Sequence, residues 1–317
     1  MAEKKLPSFL RLLAAEQRAN FQKINAAEEA RIDEGLRHWK DSKWSMADSL
    51  SFENEGRNRY SNVLPWNRSR VKLPLVSAKM GSDYINASYI NNGTECRFIA
   101  TQGPLENTQH HFWSMCYNES EKQGCDVVII AMMTPTSEGG ITKCSRYWPT
   151  LQSPSLDLGE TNRLDGIAIL DLSVHHKKLT PIEGGDIILT EFDLCSSFKR
   201  KKVYHFFYQK WADSKVPPSI LSLFSLSRDI RNLQKHYSCK PIPIVHCSAG
   251  VGRTGTFIVL DELIHNKEVL KNVDPSSDYD PICNLVSNLR ESRMMMVQTP
   301  YQYCFLYDFA KELLTIR

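Results

Sequence analysis

The sequence predicts an α/β protein with one large, twisted mixed sheet flanked by helices in a single domain. Three observations lead there. The chain has 317 residues, 42% of them hydrophobic, which is enough for one substantial core. Short apolar or β-branched runs recur between longer stretches of helical periodicity. Strands that alternate with helices are most simply accommodated in a sheet covered by helices.

The elements can be taken in order. Residues 9–36 carry Leu10, Leu13, Phe21, Ile24, Ile32 and Leu36 at spacings that gather apolar side chains on one face of one helix or of two consecutive ones. Residues 1–40 are therefore expected to form an N-terminal helical segment packed on a domain of residues 41–317. Residues 41–59 turn polar and read as a surface connection. The runs at 98–101, 127–133, 167–172, 187–192, 203–208 and 242–245 read as strands. Helical patterns lie around 108–118, 220–236, 254–272, 282–291 and 301–316. Residues 149–164 read as a flexible surface loop, and Lys199-Arg200-Lys201-Lys202 as a solvated hairpin tip.

Composition narrows the function classes. A net charge of +3 gives no case for nucleic acid, although a mildly basic surface suits acidic or phosphorylated partners. The nine cysteines are scattered, without Cys-x-x-Cys pairs or zinc-type spacing, and their odd number argues against a disulfide framework. That pattern predicts a reducing, cytoplasmic setting. No window reaches about 18 consecutive apolar residues, so no membrane span or secretion signal is expected. Met294-Met295-Met296 offers thioethers without neighbouring Cys or His and is not read as a metal site.

The chemistry concentrates in residues 246–255, His-Cys-Ser-Ala-Gly-Val-Gly-Arg-Thr-Gly. An apolar run delivers Cys247 to a loop in which Gly250 and Gly252 can adopt backbone angles closed to other residues, and a helical pattern follows. Such a loop can turn the N–H groups of Ser248, Ala249, Gly250, Val251 and Gly252 inward. Together with the helix dipole and Arg253 they favour negative charge at one point. The same field would lower a thiol pKa from its free value of about 8.5 into the range of roughly 3.5 to 7.5 and bind a tetrahedral oxyanion. A buried cysteine in a tight turn is the competing structural role.

Residues 246–257 resemble the signature loop of the phosphotyrosine-specific protein tyrosine phosphatases, of the non-receptor type. The likeness continues, in that family's order, through Arg57-Asn58-Arg59-Tyr60, Asp83-Tyr84-Ile85-Asn86-Ala87-Ser88, Ala100-Thr101-Gln102-Gly103-Pro104, Phe112-Trp113, Lys143-Cys144, Tyr147-Trp148-Pro149 and Gln298-Thr299 with Gln302. It covers the chain from about residue 21 onward. The resemblance implies the cysteine-phosphatase fold and hydrolysis of phosphotyrosine in proteins through a cysteinyl phosphate. It implies neither metal nor cofactor, and a monomer acting on phosphotyrosine-containing proteins.

Roles follow residue by residue. Cys247 is the expected nucleophile, and Arg253 can set a planar fork on two phosphoryl oxygens. Asp213 matches the family's general acid, and Glu138 resembles the residue that holds the arginine. His246 is expected to hydrogen-bond locally and keep the thiolate charged rather than act as a base. Thr254 can offer its hydroxyl to the sulfur, with helix capping as the alternative. Gln298 and Gln302 match water-positioning glutamines. Tyr60, with Asn62 and Val63, resembles the loop that stacks on phosphotyrosine and grips peptide, giving a cleft too deep for phosphoserine.

The chain departs from the family at two of these places. Ala212 stands where proline usually precedes the acid, which predicts a broader set of loop conformations and altered closure. Asn62 stands where many relatives carry aspartate, so peptide gripping relies less on charge. Met295 is expected to narrow the cleft's edge. The rival readings are a phosphotyrosine-binding pseudophosphatase with little turnover, and the same mechanism applied to phosphoserine/threonine or phosphoinositide. Trp113, Tyr84, Trp148 and Cys144 read as core packing.

Overall fold

The structure, a computed structural model, describes residues 6–77, 79–91, 96–169 and 171–315. Its strands are β1 (Arg70–Lys72), β2 (Tyr84–Asn91), β3 (Cys96–Thr101), β4 (Val127–Met132), β5 (Ser137–Glu138), β6 (Ile141–Thr142), β7 (Ser155–Asp157), β8 (Ser173–Ile182), β9 (Ile187–Cys195), β10 (Arg200–Tyr208) and β11 (Ile244–His246). Its α-helices are α1 (Ala14–Arg37), α2 (Ala47–Leu50), α3 (Gln109–Lys122), α4 (Gly159–Leu164), α5 (Ile220–His236), α6 (Gly252–His265), α7 (Lys267–Lys271), α8 (Pro281–Ser292) and α9 (Pro300–Thr315).

Among the described residues, nine strands form one mixed sheet in the order β1-β2-β3-β11-β4-β10-β9-β8-β7, and β5 pairs with β6 apart from it. At its centre β3, β11, β4 and β10 run parallel, while the flanking pairs are antiparallel. Central parallel strands must be buried on both faces, and β4 (Val-Val-Ile-Ile-Ala-Met) is buried throughout. Alternation along β4 sends Val127, Ile129 and Ala131 into one core with α1, α5, α6, α8 and α9, and Val128, Ile130 and Met132 into a second core with α3. Helix α6 lies deep inside the first core, with Phe257 through Leu260 almost wholly buried. The side chains that start two of its neighbours are well matched: Ser219 caps α5 at 3.2 Å, and Asp280 caps α8 at 3.0 Å just ahead of Pro281.

Several expectations need correction. The described residues of 167–172 make no strand, Ile167 contributing an isolated bridge to Leu75, and Leu170 lies outside the described residues. The run is apolar because Ile167 and Leu172 are buried beneath α3, not because it is paired. Residues 149–164 are not a structureless loop, since they contain β7 and α4. The expected helix over 254–272 is two helices, broken where Asn266 caps α6 through its N–H on the Glu262 carbonyl. Lys201 is no part of a solvated tip: it is fully buried in β10, its ammonium shared by Glu121, Asp126 and the Cys125 carbonyl. Strand alternation turned it inward to meet those acceptors. Leu13, just ahead of α1, and Leu36 within it are 70% and 52% exposed and do not join the packed face.

The expectation drawn from the odd cysteine count, that no disulfide framework forms, meets one exception. Cys125 and Cys239 are joined by a disulfide across 114 residues. They precede β4 and β11, which are neighbours in the sheet, so the two strand entries bring them together.

Candidate active site

Topology assembles the site. Loops leaving the carboxyl ends of four adjacent parallel strands converge: β3 leads to Gln102, β11 to Cys247, β4 to Glu138 and β10 to Asp213. In open α/β sheets ligands bind at this end.

Cys247 is only 3% exposed, on the turn between β11 and α6. The turn is feasible because Gly250 has φ +72° and lies so close to Thr101 that a Cβ there would sit 2.1 Å from its carbonyl oxygen. The Gly250 N–H points to the Cys247 sulfur at 3.2 Å. Burial pushes the thiol pKa up, but the Arg253 charge, the Thr254 hydroxyl and the Thr254 and Val251 N–H groups outweigh it, and the pKa lies below its ordinary value. Thr254 Oγ1 is fully buried, near enough to the sulfur to favour the thiolate without the geometry of a full hydrogen bond.

Arg253, 1% exposed, is fixed by its neighbours before any ligand arrives. Nη1 donates to Glu138 Oε1 at 3.0 Å and to the Trp211 carbonyl at 2.7 Å. Nη2 donates to Asp213 Oδ1 at 3.2 Å. Asp213 is held from its other side by Lys143 Nζ at 2.9 Å. Burial raises the Asp213 pKa, yet Lys143 and Arg253 together bring it below the usual carboxylate value. Asp213 sits on an exposed loop whose Ser214 has φ +57°, and Trp211 anchors that loop by donating Nε1–H to the Lys215 carbonyl at 2.8 Å.

His246 belongs to a buried, directed chain. Its Nδ1 lies 3.1 Å from the Cys247 carbonyl, which can only accept, so Nδ1 carries the proton. Its Nε2 must then accept from the Tyr147 hydroxyl at 2.7 Å, and Tyr147 in turn accepts from His205 Nε2–H at 2.8 Å. Burial holds His246 at a pKa of about 4 and His205 at about 3, so both are neutral near pH 7. His205 Nδ1 is left as a buried acceptor without a partner.

Tyr60 closes the rim. Ser248 Oγ donates to the Lys143 carbonyl at 2.8 Å, so the Tyr60 hydroxyl is the donor in its 2.9 Å contact with Ser248. Val63 is buried and accepts from Asn86 Nδ2 at 2.8 Å, whereas Asn62 is exposed on the same turn. Opposite, Gln298 lies against the first turn of α6: a Cβ on Gly252 would stand 3.2 Å from its Oε1. Gln302 is buried and accepts from the Gln298 N–H at 3.1 Å. Ala249, Val251 and Gly252 complete the loop around the sulfur.

Two residues escaped the sequence reading. Lys143 was visible only as a motif member, and its pairing with Asp213 depends on a fold-level contact between residues 70 positions apart. Arg293 is fully buried and donates to the Gly250 and Ala249 carbonyls at 3.0 Å each and to Asn86 Oδ1 at 2.7 Å. It supports the loop from beneath; an arginine next to three methionines was the available signal.

Comparisons with known proteins agree. Residues 54–312 match the family model described as protein-tyrosine phosphatase. The chain is 35% identical to tyrosine-protein phosphatase 1 of Saccharomyces cerevisiae, over 97% of each chain. It is 34% identical to human tyrosine-protein phosphatase non-receptor type 9, covering 82% of this chain and 42% of that protein. The solved catalytic domain of human protein tyrosine phosphatase non-receptor type 18 superposes with a TM-score of 0.76 at 28% identity, over 95% of this chain and 96% of that one. A structure of that phosphatase in complex with a HER2 phosphopeptide gives a TM-score of 0.74, over 94% and 93%. The chain belongs to the protein-tyrosine phosphatase family and is a protein-tyrosine phosphatase.

Proposed function

We propose that the chain hydrolyses phosphotyrosine in proteins through a phosphocysteine on Cys247. The observation that carries this reading is the field at the Cys247 sulfur, where inward N–H groups and Arg253 favour an anion despite near-complete burial. The thiolate attacks phosphorus, the bond from phosphorus to the tyrosine oxygen breaks, and the Asp213 carboxyl gives its proton to the departing phenolate. Gln298, with Gln302, then orients a water whose oxygen bonds to phosphorus as the P–S bond breaks, and Asp213 takes back a proton.

Asp213 begins ionised, paired with Arg253 and Lys143. A phosphoryl dianion that takes the Arg253 fork removes one partner and adds a like charge, and both changes raise the carboxyl pKa toward that of an acid. Glu138 keeps the guanidinium in plane, and His246 braces the Cys247 carbonyl while staying neutral. Tyr60, fixed on Ser248, forms the wall that a phenyl ring can stack on, with Asn62 and Val63 on the same turn. We read residues 1–40 as a segment packed on a catalytic domain of 41–317, and the protein as a cytoplasmic monomer acting on phosphotyrosine proteins.

The test is turnover of phosphotyrosine and phosphoserine peptides, with Asp213→Ala as a trap. The expected result is hydrolysis confined to phosphotyrosine, abolished in Cys247→Ser, and stable capture of phosphoproteins by Asp213→Ala. Equal hydrolysis of both peptides, or activity surviving in Cys247→Ser, would contradict the proposal.

A further inference from the structure

The segment that carries Gln298 is held in an unfavourable backbone shape. Met295 and Val297 both have left-handed angles, φ +59° and +58°, a region that a β-branched residue such as Val297 rarely enters. Something must hold these residues there. The Val297 N–H donates to the Val251 carbonyl at 3.2 Å, but the bends on either side are gripped from elsewhere. Arg290 of α8 donates Nε–H to the Met296 carbonyl and Nη2–H to the Val297 carbonyl, both at 3.0 Å. Glu28 of α1 accepts the Met295 N–H on Oε1 at 2.6 Å, and its Oε2 binds Arg290 Nη1 at 2.8 Å. Asn25 Oδ1 takes a further bond from the same Nη1 at 2.7 Å. Glu28 and Arg290 are 4% and 3% exposed, so little water competes for these groups.

We propose that Glu28 is a positioning residue for the second half of the reaction. With Arg290 it clamps three consecutive backbone units and so sets Gln298 against Gly252, where the hydrolytic water would be oriented. A helix more than 260 residues away in sequence thereby acts on hydrolysis of the phosphocysteine while leaving its formation alone. The reason lies in the contacts: the clamp reaches residues 295–297, whereas the carbonyls of Ala249 and Gly250 are held by Arg293. This inference rests on the reading of Gln298 given above.

The experiment is rapid-quench kinetics with para-nitrophenyl phosphate on the full chain. It follows nitrophenol release for the first step and decay of the phosphoenzyme for the second. Glu28→Ala is expected to slow phosphoenzyme hydrolysis about ten- to hundredfold, as a misplaced reacting group does, giving a nitrophenol burst with first-step kcat/KM within about twofold of the parent. Glu28→Gln keeps one acceptor but turns its NH2 toward either the Met295 N–H or the Arg290 guanidinium, so it should slow the second step in the same direction as Glu28→Ala. Arg290→Lys retains the charge opposite Glu28 but not the fork, so it tests the clamp even if Glu28→Ala fails to fold; it should also slow only the second step. Adding Met295→Gly to Glu28→Ala removes a left-handed penalty and should restore hydrolysis.

Equal loss in both steps, an unaltered second step in folded Glu28→Ala or Arg290→Lys, or no rescue by Met295→Gly would overturn the inference. If Gln298→Ala itself leaves phosphoenzyme hydrolysis unchanged, the reading of Gln298 fails and this inference falls with it. If Gln298→Ala slows that step and the clamp variants do not, the inference alone fails.

Discussion

Residues of the candidate site are each over-determined by their neighbours. Gly250 illustrates this, with its left-handed φ and the Thr101 carbonyl leaving no space for a methyl group. Gly250→Ala must move the loop off β3 and turn the Gly250 N–H from the sulfur. Activity should fall by at least about a hundredfold, the scale on which misplaced reacting groups lose rate, and stability by about 1–3 kcal/mol, both readable from kcat/KM and a denaturant midpoint. Arg253→Lys keeps the charge but loses the fork held by Glu138 and Trp211. We expect kcat to fall at least about tenfold, whereas unchanged kcat would mean that charge alone suffices. At this scale the loop was legible, because Cys247, Gly250, Gly252 and Arg253 lie within one short stretch and their spacing encodes one turn. Tyr60, Asp213, Glu138 and Gln298 became legible only through family motifs. Lys143 and Arg293 act through partners chosen by the fold, and no local pattern announces those.

Among the elements, the loop after β10 is the one most open to change. Ala212 stands ahead of Asp213, and its carbonyl accepts the Lys215 N–H in a turn at 3.3 Å. Ala212→Pro should narrow the loop's ensemble by an amount worth about 0.4–1 kcal/mol, or two- to fivefold in the favoured population. If loop closure limits turnover, kcat rises by that factor; an unaltered kcat would place the limit elsewhere. Element-level reading succeeded where periodicity was long and one-sided, as at 220–236, which is α5 to the residue. It failed at β2 and β8, whose apolar runs are broken by Asn86 and Ser88 in one and by the His-His-Lys-Lys stretch in the other. It also misplaced 167–172, where burial without pairing mimics a strand. Arg200–Tyr208 was shortened by its basic start because Lys201 finds acceptors underneath the sheet.

The molecule as a whole buries neutral histidines in its second core and at the sheet end. His246 and His111 are held by burial at a pKa of about 4 and His205 at about 3, each below the ordinary 6.5. Between these values and 6.5 the unfolded chain binds protons that the folded chain refuses. Stability is therefore full above about pH 6.5 and declines as pH falls through the window, by up to about 1.4 kcal/mol per unit for each histidine. Asp165, which accepts from both His110 and His111 at 2.7 Å, has its pKa lowered below 3.8 by those bonds, so its contribution persists through this window and is lost only in stronger acid. Melting temperatures measured from pH 7.5 to 4.5 should fall steadily, and His205→Phe should flatten the slope; a constant melting temperature would contradict the neutral buried histidines. The sheet flanked by helices was foreseeable from alternating short apolar runs and helices, but its division of the expected single core into two was not. The Cys125–Cys239 link was not, because nothing in the spacing of the cysteines indicates that β4 and β11 lie side by side.

An ionised sulfur at Cys247 is tested by the pH dependence of its alkylation by iodoacetate, followed residue by residue by mass spectrometry. Cys247 should react at half its maximal rate well below the ordinary thiol value of about 8.5, and Arg253→Ala should move this midpoint upward. A Cys247 midpoint at or above that ordinary value, unmoved by loss of Arg253, would contradict an ionised sulfur there.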